Sequence, residues 1–217
     1  MPPNNLLEQA YLPNHRKFTL YKGCGFVYND NMSLNLVLGS ASPRRKELLQ
    51  PIADFSIRLA DCNEDCTLSD PAQRVMYTAG LKAAAIPLYE GELLLCADTL
   101  VYCKGRFLGK PHTPAEAKEM LQFINRCPNY VYTGVCLRSL SNTEFFYALS
   151  TVVMDMTEAE IDRYILGGSP MDKAGAYGIQ DEDFKGTLTQ GSLSNVIGLP
   201  VELVKERLQM LGVSTKE

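Results

Sequence analysis

Residues 35–49 read NLVLGSASPRRKELL, and this stretch decides how the rest of the chain is interpreted. Its first five residues form a short apolar run typical of a buried strand, and its last residues have apolar positions at helical spacing. Pro43 suits the first position of a helix, so Ser42 is predicted to be the N-cap. The stretch therefore predicts a strand that passes through a turn of small residues into a helix.

The turn in this stretch has two interpretations. Backbone amides at a helix start can bind phosphate when basic side chains are close, and Arg44, Arg45 and Lys46 follow Pro43 directly. The alternative is an ordinary strand-to-helix turn with solvated arginines, because short motifs also match by chance. The stretch alone favours the ordinary turn, so the choice depends on the rest of the chain.

Composition narrows the class of protein. The 217 residues are 46% hydrophobic and 21% charged, which is typical of a folded domain with one sizeable core. Lys and Arg total 21 against 25 Asp and Glu, and this net charge of −4 argues against a broad nucleic-acid surface. With no apolar run of membrane-spanning length and no secretory pattern at the start, we expect a cytoplasmic protein without a membrane partner. The seven scattered cysteines and two histidines predict neither a zinc site nor a disulfide framework.

Two regions can be distinguished along the chain. Residues 1–33 are rich in Pro and Asn and have little periodicity, so they are predicted to be an N-terminal extension whose order the sequence leaves open. Within it, residues 21–31 could form a short hairpin. Residues 34–217 are predicted to be one domain of alternating strands and helices, which is the pattern of an α/β fold.

The predicted elements of this domain are bounded by turn and capping signals. Strands are expected at 55–60, 92–97, 130–140 and 144–156, and a hairpin turn at Lys104 and Gly105. Helices are expected from Asp70, from Thr113 to about residue 126, from Thr157 and from Pro200, with capping boxes at TPAE and TEAE. Residues 169–199 are predicted to be rich in loops.

Several polar residues stand out against this framework. Asp98 closes the apolar run at 92–97, and a carboxylate in a buried segment is costly unless a metal or hydrogen bonds compensate. Glu64 lies in the acidic segment DCNEDC, which could hold a divalent cation, although most acidic loops are simply solvated. Lys82 lies among alanines and reaches either an anion or the surface. Lys110 follows the hairpin and could return to the same pocket.

The segment SPMDKAGAYGIQ at residues 169–180 combines small residues with Lys173 and Gln180. Small residues let the backbone approach a ligand closely, and a glutamine amide can read a base edge with its paired donor and acceptor. The alternative is a tight turn between strands.

Taken together, SASPRRKELL, ADT, GKP, MDKAGAYGIQ and NVIGLP occur in an order that resembles the Maf family of nucleotide pyrophosphatases, from about residue 36 to residue 211. Several motifs in register are more specific than any one of them. The basic residue after SxSP, the ADT triplet and AGAYGIQ are similar to the branch that hydrolyses dTTP and UTP, as opposed to the branch that acts on 7-methyl-GTP.

The resemblance implies a nucleoside triphosphate pyrophosphatase with a long mixed β-sheet flanked by helices, two lobes around a nucleotide cleft, and a homodimeric assembly. It also implies a divalent cation, Mg²⁺ or Mn²⁺, held by Asp98 and Glu64, with Asp98 as general base or metal-organising carboxylate. The remaining implied roles are phosphate neutralisation by Lys82 and Lys110, a phosphate cradle of Ser40, Ser42, Arg44 and Arg45, base choice by Arg44, Thr99 and Gln180, and a place for Lys173 in the DKAGAY loop.

Three positions depart from the family pattern. Asn63 stands where an acidic residue is usual, Asp181 stands where glycine usually follows GIQ, and residues 126–129 lack the usual SG pair. The first departure bears on the metal ligands and the second on the shape of the base pocket.

Other functions stay open at this point. One is a non-catalytic, nucleotide-sensing regulator of cell division that binds triphosphates without turnover. Another is a division-linked interaction protein in which the enzyme residues are idle, and a third is a pyrophosphatase for CTP or modified nucleotides. The presence of Asp98, Glu64 and Lys82 favours the enzyme.

Overall fold

A mixed β-sheet organises the part of the chain that begins at residue 34. The computed structural model describes residues 7–11, 17–20 and 34–216. The seven strands of this sheet have the order β4-β3-β5-β7-β8-β9, with β6 paired to β5. Strand β3 runs parallel to β4 and β5, and the pairs from β5 to β9 are antiparallel. The strands are β3 (Asn35–Leu38), β4 (Phe55–Ile57), β5 (Glu92–Cys103), β6 (Arg106–Leu108), β7 (Pro128–Arg138), β8 (Thr143–Met154) and β9 (Gly186–Gln190).

The N-terminal residues contribute a separate antiparallel pair, β1 (Leu7–Tyr11) and β2 (Lys17–Leu20). The hairpin predicted at residues 21–31 lies outside the described residues.

Helices cover both faces of the large sheet, which confirms the α/β class. On one face, α2 packs Ala79 and Ala83 against Cys96 and Cys136 of the central strands. On the other face, α6 packs Leu208 into a core with the neighbouring strand residues. The helices are α1 (Pro43–Leu49), α2 (Pro71–Ala85), α3 (Pro114–Ile124), α4 (Glu158–Leu166), α5 (Leu193–Ile197) and α6 (Val201–Met210), with 3₁₀ turns at Ser169–Asp172 and Ala174–Ala176. None of the helices in the described residues combines the length and apolarity needed to cross a bilayer.

The stretch at residues 35–49 forms the predicted strand, turn and helix. The side chains of Leu36, Val37 and Leu38 are buried in β3, as the apolar run predicted. Helix α1 begins at Pro43 with Ser42 at the N-cap, although the Ser42 side chain makes no capping hydrogen bond. Instead, the backbone N–H of Ser42 donates to Ser40 Oγ at 3.3 Å.

The two predicted capping boxes differ. At the start of α4, Thr157 and Glu160 form the complete reciprocal pair. At the start of α3, Thr113 accepts from the backbone N–H of Glu116, but the Glu116 carboxylate accepts from the backbone N–H of His112 rather than from that of Thr113. The predicted N-cap at Thr113 is therefore confirmed, whereas the prediction of a complete capping box at TPAE is wrong.

Other differences concern the bounds of elements. The strand predicted at 55–60 is limited to β4, and the helix predicted to reach residue 126 ends at Ile124. Strand β5 continues through Asp98 to Cys103, because the residues after Asp98 stay paired with β7. The predicted loop region at 169–199 contains β9 and α5, two short elements that lack a long periodic pattern.

Candidate active site

One cavity of about 660 Å³ gathers the residues that the sequence singled out. Its walls come from the start of α1, the loop before α2, α2 itself, β5, the loop after β6, the 3₁₀ turns and the end of α5. All of the candidate site residues except Ser40 line it: Ser42, Arg44, Arg45, Glu64, Lys82, Asp98, Thr99, Lys110, Lys173 and Gln180. Residues far apart in sequence therefore meet at one place.

A lysine and two carboxylates form the most charged part of this cavity. Asp98 projects from the middle of β5, and Lys82 from the last turn of α2 places its Nζ 2.7 Å from Asp98 Oδ1. Glu64, on the loop before α2, places Oε2 3.0 Å from the same Nζ. Burial alone would lower the pKa of Lys82, but the attraction and hydrogen bond of Asp98 outweigh it, so the pKa is raised and Lys82 stays charged.

Asp98 and Glu64 are the candidate ligands for a divalent cation at this point. Asp98 and Glu64 converge on one cationic group, and both supply the hard oxygen ligands that Mg²⁺ and Mn²⁺ prefer. Within the described residues, no group of three or more His, Cys, Asp or Glu forms a complete metal cage. Two carboxylates suit a cation that takes its other ligands from water and substrate phosphates, as Mg²⁺ commonly does.

Helix α2 presents a row of polar side chains to the cavity. Arg74, Thr78 and Lys82 follow each other at intervals of four residues and all line the same wall. Arg74 is held by the Leu68 carbonyl and by the face of the Phe107 ring. Arg74 and Thr78 were not predicted from the sequence, although their spacing from Lys82 was a usable signal.

Arg45 connects three segments of the chain at the base of the cavity. Its Nε donates to the Gly198 carbonyl at 2.8 Å, its Nη1 to Ser40 Oγ at 3.3 Å and its Nη2 to Thr99 Oγ1 at 3.0 Å. Burial lowers the pKa of Arg45, and the nearby Asp98 charge opposes that change. The Arg45 guanidinium therefore links three segments of the chain and also lines the cavity.

A chain of buried polar groups continues behind Arg45. Thr99 Oγ1 lies 3.0 Å from Thr133 Oγ1, and Thr133 in turn donates to the Asn195 carbonyl at 3.0 Å. The Asn195 amide donates to the Val131 carbonyl and to Ser150 Oγ. These hydrogen bonds fix the position of the Thr99 side chain. Neither Thr133 nor Asn195 was predicted from the sequence.

Elsewhere in the cavity lining, Arg44 and Lys173 are paired with carboxylates. Arg44 Nη1 lies 2.5 Å from Asp172 Oδ2, and Arg44 Nη2 donates to the Asp172 carbonyl at 3.1 Å. Lys173 Nζ donates to the carbonyl and hydroxyl of Ser169 and to Asp172 Oδ1. Partial burial would raise the pKa of Asp172, but hydrogen bonds from Arg44 and Lys173 lower it. Asp172 was not predicted to belong to the site.

The comparisons with known proteins show the family of the chain. A family model described as Maf-like protein matches residues 35–211. The chain belongs to the Maf family.

A relative from Bacillus cereus strain AH187, named dTTP/UTP pyrophosphatase, is 40% identical over 186 residues, which are 82% of this chain and 96% of the relative. A relative of the same name from Bacillus cytotoxicus is 43% identical over 182 residues, which are 80% of this chain and 94% of the relative. Among solved structures, the Staphylococcus aureus Ham1 protein aligns with a TM-score of 0.49 and 11% identity, over 81% of this chain and 98% of that one.

Two of the departures from the Maf pattern have a clear place in the structure. Asp181 Oδ2 accepts hydrogen bonds from the Tyr164 hydroxyl at 2.5 Å and from Ser169 Oγ at 2.6 Å, and lies 3.5 Å from Lys173 Nζ. It therefore ties the loop that carries Gln180 to α4. Asn63 Oδ1 accepts from the backbone N–H of Asp65 at 3.0 Å, within the loop that presents Glu64 to this Maf cavity.

Proposed function

We propose that this Maf protein hydrolyses dTTP and UTP to the nucleoside monophosphate and pyrophosphate. The observation that carries the proposal is the convergence of Asp98, Glu64 and Lys82 at one wall of the cavity. The curated relatives named dTTP/UTP pyrophosphatase support the choice of substrate. CTP and modified pyrimidine nucleotides are further candidates that the same substrate panel would measure.

The proposed reaction is attack of water on the α-phosphorus. A new bond forms from the water oxygen to the α-phosphorus, and the bond from that phosphorus to the bridging oxygen breaks. Pyrophosphate leaves with the electron pair, and the water loses a proton to a basic group or to solvent. The triphosphate is strongly negative, and cationic side chains must shield both the approaching oxygen and the leaving group. Lys82 and Lys110 line the cavity and supply such charges.

We assign to Asp98 the role of orienting the attacking water. One of its oxygens accepts a hydrogen bond from Lys82, which restricts the rotation of the carboxylate. A carboxylate positioned in this way can accept a hydrogen bond from the water and orient its lone pair toward phosphorus.

We further propose that Asp98 and Glu64 hold Mg²⁺ or Mn²⁺ together with the substrate phosphates. When bound, such a cation neutralises charge on the phosphate oxygens that develops during the displacement. Lys82, which lies between the two carboxylates, then helps to keep them at a common site despite their mutual repulsion.

The test is a panel of canonical and modified nucleoside triphosphates with Mg²⁺ or Mn²⁺, in which monophosphate and pyrophosphate release are followed. Turnover of dTTP and UTP is expected for the wild type, and Asp98→Asn is expected to lose at least about a hundredfold in rate while remaining folded. Asp155→Asn is the matched control, because Asp155 is an exposed ion-pair carboxylate and does not line the cavity. Nucleotide binding without turnover would contradict the proposal in favour of a nucleotide-sensing regulator.

The homodimer and the cytoplasmic location remain proposals drawn from the family resemblance and the sequence. In support of a dimer, Tyr130, Tyr147 and Leu149 expose large side chains on one face of the β7 and β8 pair. Sedimentation equilibrium should give twice the chain mass of 24.1 kDa. A single-chain mass at micromolar concentration would contradict the dimer.

A further inference from the structure

The hydroxyl of Thr133 makes hydrogen bonds whose direction the structure fixes. Thr133 is fully buried on β7, where it is the register partner of Thr99 on β5. A threonine hydroxyl has one hydrogen, and Thr133 donates it to the Asn195 carbonyl at 3.0 Å, since a carbonyl oxygen can only accept. Toward Thr99 Oγ1, which lies 3.0 Å away, Thr133 can therefore only accept. The hydrogen of the Thr99 hydroxyl thus points to Thr133.

This direction decides how Thr99 meets Arg45. Because Thr99 gives its only hydrogen to Thr133, it presents a lone pair to Arg45 Nη2, which lies 3.0 Å away and can only donate. The reverse orientation would set two donors against each other and leave both unsatisfied. Three hydrogen bonds therefore run in one direction, from Arg45 through Thr99 and Thr133 to the Asn195 carbonyl, and we call this series the hydroxyl relay.

The far end of the hydroxyl relay is itself held in place. The buried side-chain amide of Asn195 donates to the Val131 carbonyl at 3.1 Å and to Ser150 Oγ at 2.8 Å. Asn195 is therefore tied to both β7 and β8. Its carbonyl offers Thr133 a fixed acceptor, which gives the Thr133 hydroxyl one preferred orientation.

Thr133 has no direct contact with the cavity, whereas the other end of the relay does. Arg45 and Thr99 line the cavity, and Thr133 is not among the lining residues. The protein groups that accept from Arg45 are two hydroxyls and one carbonyl, so all three are neutral. These neutral contacts determine the orientation of a cation at the cavity, and Thr133 controls the polarity of one of them.

We propose that Thr133 is a positioning residue for the reaction, which fixes the Thr99 hydroxyl as an acceptor and so orients the Arg45 guanidinium at the cavity. This inference rests on the proposed pyrophosphatase function and adds a buried residue that acts through Thr99 and Arg45.

The test compares Thr133→Val and Thr133→Ser with the wild type. Valine has nearly the shape of threonine but no hydroxyl, so kcat/KM for UTP should fall at least about tenfold, as expected when a hydrogen bond to a charged donor is impaired. Serine keeps the hydroxyl and loses a buried methyl group. Its activity should stay within about threefold of the wild type even where urea denaturation shows a lower stability. This separation of activity from stability distinguishes positioning from a purely structural role.

Thr189→Val is the matched control. Thr189 also donates its hydroxyl hydrogen to a backbone carbonyl, that of Thr151 at 3.1 Å, but it does not line the cavity. Its variant should keep the wild-type kcat/KM. An equal loss of activity in Thr189→Val and Thr133→Val would contradict a specific role for Thr133.

A double-mutant cycle with Thr99→Val tests the route of the effect. If Thr133 acts through the Thr99 hydroxyl, adding Thr133→Val to Thr99→Val should lower kcat/KM by less than about twofold. A full tenfold further loss in the double variant would contradict the relay.

Other outcomes would also overturn the inference. A folded Thr133→Val with wild-type kcat/KM, or a Thr133→Ser as impaired as Thr133→Val, overturns the positioning role alone, whereas absence of turnover in the wild type overturns the proposed function. NMR of the arginine Nε–H groups follows Arg45 without turnover, and its signal should shift in Thr133→Val and return toward the wild-type position in Thr133→Ser. An unchanged Arg45 signal in Thr133→Val would likewise contradict the proposal.

Discussion

Arg45 shows how a single side chain can serve both the fold and the site. Its three guanidinium nitrogens reach acceptors on the turn before α1, on β5 and on the residue that follows α5. A lysine has one ammonium group on a flexible stem and cannot reproduce these three directions. The identity of this basic residue therefore matters, and not only its charge.

We expect Arg45→Lys to lower the free energy of unfolding by about 2 kcal/mol, since hydrogen bonds from a charged donor are lost within the protein. Urea denaturation of the wild type and the variant measures this difference. Lys46→Ala is the control, because Lys46 is the exposed neighbour on the same helix, and it should change the free energy by less than about 0.5 kcal/mol. Equal stability of wild type and Arg45→Lys would show that the three contacts contribute nothing.

Candidate site residues are easiest to recognise in the sequence where their chemistry is unusual in their own surroundings. Asp98 was singled out because it interrupts an apolar run, and Lys82 because it lies among alanines. Asp172 and Thr133 escaped notice because their roles depend on partners distant in sequence. Arg44 and Asp172 are separated by 128 residues, and no local pattern predicts that pairing.

At the scale of elements, the contact between α2 and β7 determines where Lys82 lies. Gly134 is the register partner of Asp98 on β7, and a Cβ at Gly134 would lie 2.5 to 2.7 Å from backbone atoms of Val75 and Met76. The absence of a side chain at this point lets the α2 backbone approach the sheet closely. That approach holds α2, which carries Lys82, against the strands that carry Asp98 and Gly134.

We therefore expect Gly134→Ala to push α2 away from the sheet, with a loss of about 3 kcal/mol in the free energy of unfolding. Nucleotide turnover should fall by about a hundredfold, because Lys82 moves relative to Asp98. Chemical denaturation and steady-state kinetics measure the two effects. As a control for stability alone, Gly109→Ala should change the free energy by less than about 1 kcal/mol, because no heavy atom lies within 4 Å of its Cβ position. A fully stable and active Gly134→Ala would refute this account of the helix position.

The capping box of α4 gives a prediction about pH. Glu160 accepts hydrogen bonds from Lys185, whose effect is the largest, and from Thr157, and together they lower the pKa of Glu160 from 4.5 to about 2. Because the folded-state pKa lies below the unfolded-state value, the stability from this carboxylate is present above about pH 4.5 and is lost as the pH falls toward 2. Glu160→Gln should therefore have a lower Tm than the wild type at pH 7, and the gap should narrow below pH 4.5. A gap that stays constant from neutral to acidic pH in thermal scans would argue against the ionised capping box.

Elements with a long periodic pattern were predicted well, and short ones were not. Helix α2 was predicted from Asp70, and its positions Val75, Ala79 and Ala83, which are four residues apart, are all buried. Strand β9 and helix α5 have five residues each, so neither carries enough periodicity to be distinguished from a loop. Pairing with β8 and packing against β7 create these elements, and such tertiary contacts are not visible in the local sequence.

At the scale of the whole molecule, the cavity is the place where distant parts of the chain meet. Ser42 near the start of the domain and Gly198 near its end both line it. A ligand that contacts these walls binds only the folded arrangement, and binding must therefore stabilise the whole domain. The nucleotide and the proposed cation would stabilise the domain together, since the cation would lie between the phosphates and the carboxylates of Asp98 and Glu64.

We expect a non-hydrolysable α,β-methylene analogue of UTP with Mg²⁺ to raise Tm measurably. At a concentration one hundred times its Kd, the ligand should add about 2.7 kcal/mol to the free energy of unfolding, which for a chain of this size corresponds to roughly 5–10 °C. Removal of the cation with EDTA should reduce the shift, because the phosphates then meet Asp98 and Glu64 without a neutralising charge between them. Asp98→Asn should lose the part of the shift that depends on Mg²⁺, whereas Asp155→Asn should retain it. If EDTA leaves the shift of the wild type unchanged, the nucleotide binds without a cation, and the assignment of these two carboxylates as metal ligands would have to be abandoned.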